Sequence, residues 1–226
     1  STNTFRCAHR KPNLAQVPSA PEFRELFTAS EGRVMVGADL SGIELRMLAH
    51  YLGAYDGGRY ADILLNGDIH QVNADKIGIS RRQVKTVSYA YLYGAGNIKL
   101  GLSYDNSLNE RQASKKGKEI REAFVAAIDG LSDLQKAVSK KAEGGWLKAI
   151  DGRRVLVDSP HKALNYLLQC SAGIVAKRWM VIADDGIQYH PHTHQLAFVH
   201  DELQYETTPD GAEILASILT EAAKLA

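Results

Sequence analysis

The stretch Leu196–Glu206, "LAFVHDELQYE", reads as a β-strand, with apolar, β-branched and aromatic residues interleaved with polar ones. Its centre holds His200, Asp201 and Glu202 in a row. Burying unpaired carboxylates is costly unless something compensates them. Successive strand residues point to opposite faces, so Asp201 and Glu202 would divide between the two sides. Only one of them would then serve as a primary ligand for a compensating cation.

A second acid offers Asp201 a partner. "RVMVGADLSGIELRMLAHYLG", from Arg33 to Gly53, opens as a strand over Val34–Asp39. It then becomes a helix with apolar Ile43, Leu45, Met47, Leu48, Tyr51 and Leu52. Two acid-bearing strands lying side by side would aim Asp39 and Asp201 at one point. Carboxylate and carbonyl oxygens suit Mg²⁺, which takes one or two carboxylates plus substrate phosphates. Read alone, Asp39 is equally a strand-end acid and Asp201 a hairpin-turn acid, and these two stretches leave both readings open.

The third stretch is "SRRQVKTVSYAYLYGAG", Ser80–Gly96, with Ser80 as N-cap and Gly94 and Gly96 as stops. Arg81, Lys85, Tyr89 and Tyr93 recur every four residues, so a helix carries them as one drifting stripe. The stripe is cationic at its N-terminal end and aromatic further on. A nucleoside triphosphate has the matching order of polyanionic tail, sugar and flat base. Alone, the same stretch is equally an amphipathic surface helix with inward tyrosines.

Bulk properties bound these readings. At 226 residues the chain can bury a sizeable core, and 45% hydrophobic with 23% charged residues is an ordinary globular composition. No apolar run approaches the roughly 20 residues of a membrane helix. Cys7 and Cys170 form no CxxC pair, which suggests neither a zinc knuckle nor a disulfide framework. A net charge of +1 identifies no partner, so any nucleic-acid contact must come from local patches.

Taken in order, these stretches resemble the DNA polymerase I family (family A), most closely its phage replicative members. "DLSGIELRMLAH" (Asp39–His50) resembles the family's first motif, although the more usual bacterial form has Tyr-Ser-Gln after the aspartate. Arg81–Gly94 is similar to the nucleotide-binding fingers helix, and "VHDE" (Val199–Glu202) to the last motif. "NLAQVP" (Asn13–Pro18), "NGDIH" (Asn66–His70) and "NYLLQ" (Asn165–Gln169) also match, in collinear order.

The resemblance implies an α+β fold: an antiparallel palm sheet with packed helices, carrying Asp39 and Asp201 and backed by a helix from about Ala163 to Asp184. A helical fingers subdomain would be inserted into it. The expected division is palm over 1–50, fingers over 51–145 and palm again over 146–226, with the family's thumb and exonuclease domain absent. The implied activity is template-directed DNA synthesis by two-metal nucleotidyl transfer from a dNTP to a primer 3′-hydroxyl. Two Mg²⁺ ions, or Mn²⁺ in their place, would be held by Asp39, Asp201 and the Leu40 carbonyl, with Glu202 beside them. His70, Arg81, Lys85, Tyr89, Glu44 and Tyr93 would bind the nucleotide. Arg6, Asn13, Gln16, Asn165, Gln169 and His200 would contact primer-template DNA. The expected location is cytoplasmic, with no membrane partner, and the missing thumb and exonuclease portions of a parent polymerase are expected partners.

Several stretches carry two meanings. Ser41-x-x-Glu44 fits a capping box, whereas the resemblance makes Glu44 a wall against a ribose 2′-hydroxyl, bonded to Tyr93. "HPHTH" (His190–His194) reads as a polar loop and "SKKGK" (Ser114–Lys118) as a solvated face. Ile120, Phe124, Ile128, Leu131 and Leu134 have helical spacing, and "AIDGRRVLV" (Ala149–Val157) reads as a hairpin turning at Asp151-Gly152. Two rival functions remain: a single-subunit RNA polymerase of the phage type, and a catalytically silent nucleic-acid-binding fragment.

Overall fold

The computed structural model describes residues 2–226. In chain order the elements are α1 (Pro21–Arg24), β1 (Val34–Asp39), α2 (Ile43–Asp56), α3 (Arg59–Asn66), α4 (Ile69–Ile77), α5 (Arg81–Leu92), α6 (Asn97–Tyr104), α7 (Glu110–Ala127) and α8 (Leu131–Lys141). They continue with β2 (Trp146–Lys148), β3 (Arg154–Leu156), α9 (Ala163–Ile187), β4 (His194–Val199), β5 (Glu202–Thr207) and α10 (Ala212–Leu225). The fold is α+β. Two compact units divide it: residues 1–43 with 170–226, and residues 44–169 between them in sequence. The sequence reading drew its boundaries at 50/51 and 145/146; the compact units change at 43/44 and 169/170.

The first unit is built on an antiparallel sheet of order β1-β5-β4. Along β5, Leu203 and Tyr205 face the core, and Val36 and Ala38 of β1 share that face. Trp179, Ala183 and Ile187 of α9 and Leu215 and Leu219 of α10 close the core. The Trp179 indole N–H donates to the Leu219 carbonyl at 2.8 Å, so the one polar atom of a buried ring is satisfied. Glu206, on the opposite face of β5, is clamped at the sheet's far end. It accepts from the Ser30 amide (2.9 Å) and hydroxyl (3.2 Å) and from Arg33 (3.0 Å).

The expected single strand Leu196–Glu206 is instead a hairpin. β4 ends at Val199, His200 and Asp201 form a two-residue turn, and β5 begins at Glu202, which pairs with Val199. Period-2 patterning continues through a two-residue turn, so the alternation shows no break there. His200 takes φ +59°, while Asp201 is not among the residues with positive φ. A positive φ at the first turn position alone is the pattern in which glycine is usual. A histidine held there carries strain of order 1–3 kcal/mol, which persists where surroundings impose it.

The second unit is helical, with one small hairpin, β2-β3. Ser80 and Gln83 form a full capping box at the start of α5, and Gly94, at φ +75°, follows its end. The run from Ile120 to Leu134 is broken rather than continuous: α7 ends at Ala127 and α8 starts at Leu131, with Gly130 at φ +79°. Ile128, Leu131 and Leu134 are all buried, which explains why the helical spacing hid the turn. The α6–α7 crossing is close because both helices present glycine: a Cβ on Gly117 would lie 1.8 Å from the Asn97 carbonyl oxygen. A Cβ on Gly101 would lie 2.0 Å from that of Ala113. Among the described residues no helix is long and apolar enough to cross a membrane.

Candidate functional site

In the sheet unit, three carboxylates meet at one corner. β1 and β5 pair so that Asp39 stands directly opposite Glu202. The Leu40 amide then donates to the Asp201 carbonyl at 3.0 Å, extending the ladder into the turn. Like charges directly opposite each other are destabilising unless compensated. Burial, followed by the charges of Asp201 and Glu202, pushes the Asp39 carboxyl above its ordinary range. Asp201 is also pushed up, chiefly by burial, against the pull of Arg6. Because Asp201 belongs to the turn, strand alternation does not set it against Glu202.

Sequence reasoning missed two residues here. Gln204 donates its side-chain amide to the Glu202 carboxylate. It can do so because it lies over Gly37, where a Cβ would fall 2.7 Å from the glutamine nitrogen. A glycine inside a strand is the available signal for such a close approach.

The corner suits a divalent cation by its donor chemistry: clustered carboxylates that raise one another's proton affinity gain from a positive partner. The Leu40 carbonyl accepts one bond, from the Ile43 amide at 3.1 Å, and keeps a second lone pair. Among the described residues no group of three or more His, Cys, Asp or Glu side chains forms a preformed cage.

Arg6 and His200 lie near Asp201. Burial lowers the His200 pKa, with the Arg6 and His9 charges adding to the effect, and its Nδ1 is buried without a partner. His9 Nε2 lies 2.9 Å from the Phe198 carbonyl oxygen. Asn13 caps a short 3-10 turn, Leu14–Gln16, and accepts from the Ala15 amide at 3.2 Å. Leu14 and Val17 line a cleft of about 610 Å³ that Glu202 also borders; Asn13 and Gln16 themselves are exposed.

In the helical unit, α5 buries Val84, Val87, Ser88, Tyr91 and Leu92. Arg81, Lys85 and Tyr93 are exposed, and Tyr89 is half-buried. The Tyr89 and Tyr93 rings are stacked at 6.5 Å between centroids, and His70 lies 6.2 Å from Tyr89. The expected stripe therefore exists, and α4 adds His70 to it. Burial, then the Arg81 charge, lowers the His70 pKa, Lys85 contributes in the same sense, and Asp68 opposes them.

Asp68 is the organiser that sequence reasoning passed over. One carboxylate oxygen caps α4 through the His70 and Gln71 amides (3.1 Å each), and the other accepts from Arg81 Nε at 2.7 Å. Its signal was an Asp directly before a helix, in "NGDIH".

Glu44 is buried at 2% exposure and accepts from the Tyr93 hydroxyl at 3.3 Å. The helix starts at Ile43, so Glu44 is its second residue, not the third that a Ser41 capping box requires. Asn165 donates to the carbonyls of Tyr91 (2.8 Å) and Leu92 (2.9 Å), tying off the end of α5. Gln169 follows one turn later on α9, half-buried.

Residues 1–225 match the profile of DNA polymerase family A. The chain belongs to DNA polymerase family A. It is 32% identical to the DNA-directed DNA polymerase of Escherichia phage T7, over 89% of this chain and 33% of that protein. DNA polymerase I of Pseudomonas aeruginosa is 27% identical, over 93% of this chain and 25% of that protein. This family A chain therefore spans about a third of the length of the phage relative. Among solved structures, the POL domain of Pol1 from M. smegmatis, in complex with DNA primer-template and dNTP, superposes with a TM-score of 0.80. The identity is 26%, covering 98% of this chain and 43% of that one.

Proposed function

We propose that the chain is the palm and fingers portion of a template-directed DNA polymerase. It would join a dNTP to a primer 3′-hydroxyl, which attacks the α-phosphate and releases pyrophosphate. The observation that carries this reading is the meeting of Asp39, Asp201 and Glu202 at one sheet corner in a family A chain.

Asp39, Asp201 and the Leu40 carbonyl would hold two Mg²⁺ or Mn²⁺ ions, with Glu202 beside them. When bound, such ions stabilise charge on the attacking and leaving oxygens of an in-line displacement. Gln204 holds Glu202 in place. Arg81, Lys85 and His70 grip the triphosphate tail, and Asp68 keeps Arg81 and the start of α4 in register. Tyr89 and Tyr93 present rings to sugar and base. Glu44, braced by the Tyr93 hydroxyl, walls off a 2′-hydroxyl. Arg6, His200, Asn13, Gln16, Asn165 and Gln169 serve the primer-template. Catalysis by this chain's own groups is then positioning and charge placement.

The test is primer extension by the chain with Mg²⁺, with Mn²⁺ and with chelator, beside gel-shift binding of the same DNA. Metal-dependent extension that favours deoxynucleotides supports the reading. Preference for ribonucleotides would indicate an RNA polymerase, and binding without extension a silent DNA-binding fragment.

A further inference from the structure

The helical unit contains a second concave site that none of these roles uses. It is a cavity of about 420 Å³ bordered by α2, α8 and the β2-β3 hairpin. Tyr51, Tyr55 and Trp146 give it aromatic walls, Lys141 and Lys148 give it positive charge, and no acid lines it. Neither lysine is in an ion pair among the described residues. The acids nearest the two lysines in sequence are Glu143, which is exposed, and Asp151, which is neutralised by Arg153 at 2.6 Å. Asp56 and Asp133 flank the lining residues Tyr55 and Leu134, but Asp56 accepts from the Gly58 and Tyr60 amides and Asp133 pairs with Lys136.

The hairpin continues this surface. Trp146 pairs with Leu156 and Lys148 with Arg154, and all four are exposed while Leu147 and Val155 are buried between them. Trp146 is 40% exposed and Leu156 72%. The Arg154 guanidinium lies over the indole, 4.5 Å from its centroid. An exposed tryptophan and leucine on a two-stranded hairpin do little for a core, and such patches mark interaction sites. Aromatic rings interleaved with uncompensated cations match a polyanion whose flat bases are free to stack. A duplex hides its bases, and a cavity in the roughly 300–1,000 Å³ range of small-ligand sites has room for one unstacked nucleotide.

We propose that this face binds single-stranded DNA, with a base against Trp146 and the backbone along Lys141, Lys148 and Arg154. The polymerase reading enters only in naming the strand, which would be the unpaired template.

The test titrates a fluorescein-labelled oligothymidylate, and separately a blunt duplex, with the full chain as wild type, Trp146→Ala and Lys148→Gln over a salt series. Trp146→Ala is expected to weaken single-strand binding by about tenfold or more, since it removes the ring on which a base stacks. Lys148→Gln is expected to lower the steepness of the salt dependence by about 0.7, the loss of one phosphate contact on a single strand. Blunt-duplex affinity should hold in both. Unchanged single-strand affinity and salt slope would overturn the proposal, and so would equal weakening towards duplex. Primer extension is read separately, so its failure with single-strand binding intact counts against the polymerase reading alone.

Discussion

The two units place their functional groups by different means. In the sheet unit, Asp39, Asp201 and Glu202 are fixed by backbone pairing: one strand register and a two-residue turn set where the acids sit. In the helical unit, Arg81 and Lys85 are long exposed side chains spaced four residues apart along α5. A sheet corner suits groups whose spacing must hold to fractions of an ångström. A helix face suits groups that follow a flexible polyanion. The charges are also opposite. Crowded acids call for cations, and a cationic stripe around a depressed imidazole calls for an anion.

The largest expected effect breaks the sheet side of this comparison. Asp39→Asn or Asp201→Asn removes one of the crowded charges while preserving shape. Extension should fall by at least about 10³-fold, equivalent to roughly 4 kcal/mol of transition-state stabilisation. The thermal midpoint should hold or rise, because like-charge repulsion is relieved. Mn²⁺ titration followed by electron paramagnetic resonance should show weakened binding in both variants. Wild-type Mn²⁺ affinity in either would sink the ligand assignment.

On the helical side the next effect is on stability. Gly117→Ala would drive a methyl group against the Asn97 carbonyl, so α6 and α7 must separate. Overpacking of this kind costs about 1–3 kcal/mol. Hydrogen exchange should show lost protection in α6 and α7 with β1 and β5 unaffected. Uniform loss across both units would mean that they do not unfold independently.

Much of this contrast was legible in the sequence, for a physical reason. Helix α5 announces itself by local chemistry: a Ser-Gln capping box, a four-residue stripe and a terminal glycine, all of which act within the segment. The β1–α2 switch at Asp39 was equally local. The β4–β5 turn was legible only as one of two readings of Asp201, since His200-Asp201 holds none of the glycine or asparagine that turns usually show, and strand alternation passes through it unbroken. The α7–α8 break hid behind Ile128, which is buried at a turn as if it were on a helix. The bracing contacts were invisible because they depend on distant partners: Asn165 on the α5 carbonyls, Asp68 on Arg81, and Gln204 over Gly37.

A third effect sharpens the role of the Glu44–Tyr93 pair inside the helical unit. Glu44→Ala leaves the Tyr93 hydroxyl without that acceptor and opens a space beside it. If the pair walls off the sugar, the preference for deoxy- over ribonucleotides should drop by about tenfold or more, and Glu44→Gln, which keeps an acceptor, should recover part of it. A lower thermal midpoint with unchanged discrimination would leave Glu44 a structural residue only. Tyr89→Phe, by the same logic, should raise discrimination against dideoxynucleotides by about tenfold in single-nucleotide incorporation.

The smallest effect concerns His70, whose proton reports on what the helical unit holds. Burial and the charge of Arg81 depress its pKa below the ordinary 6.5. The unfolded chain therefore takes up this proton more readily than the folded one, and stability should decline as pH falls below about 6.5. His70→Gln should remove that part of the slope and leave the plateau at higher pH unchanged. A bound triphosphate supplies the negative charge that the free stripe lacks, so it should raise the His70 pKa and draw a proton from solution near neutral pH. Calorimetric titration of a dNTP with chelator present, in buffers of different ionisation enthalpy, measures that uptake directly. Wild type should take up a fraction of a proton on binding and His70→Gln none. Equal uptake in the two proteins would place the triphosphate tail away from His70, and with it the direction in which a nucleotide lies along α5.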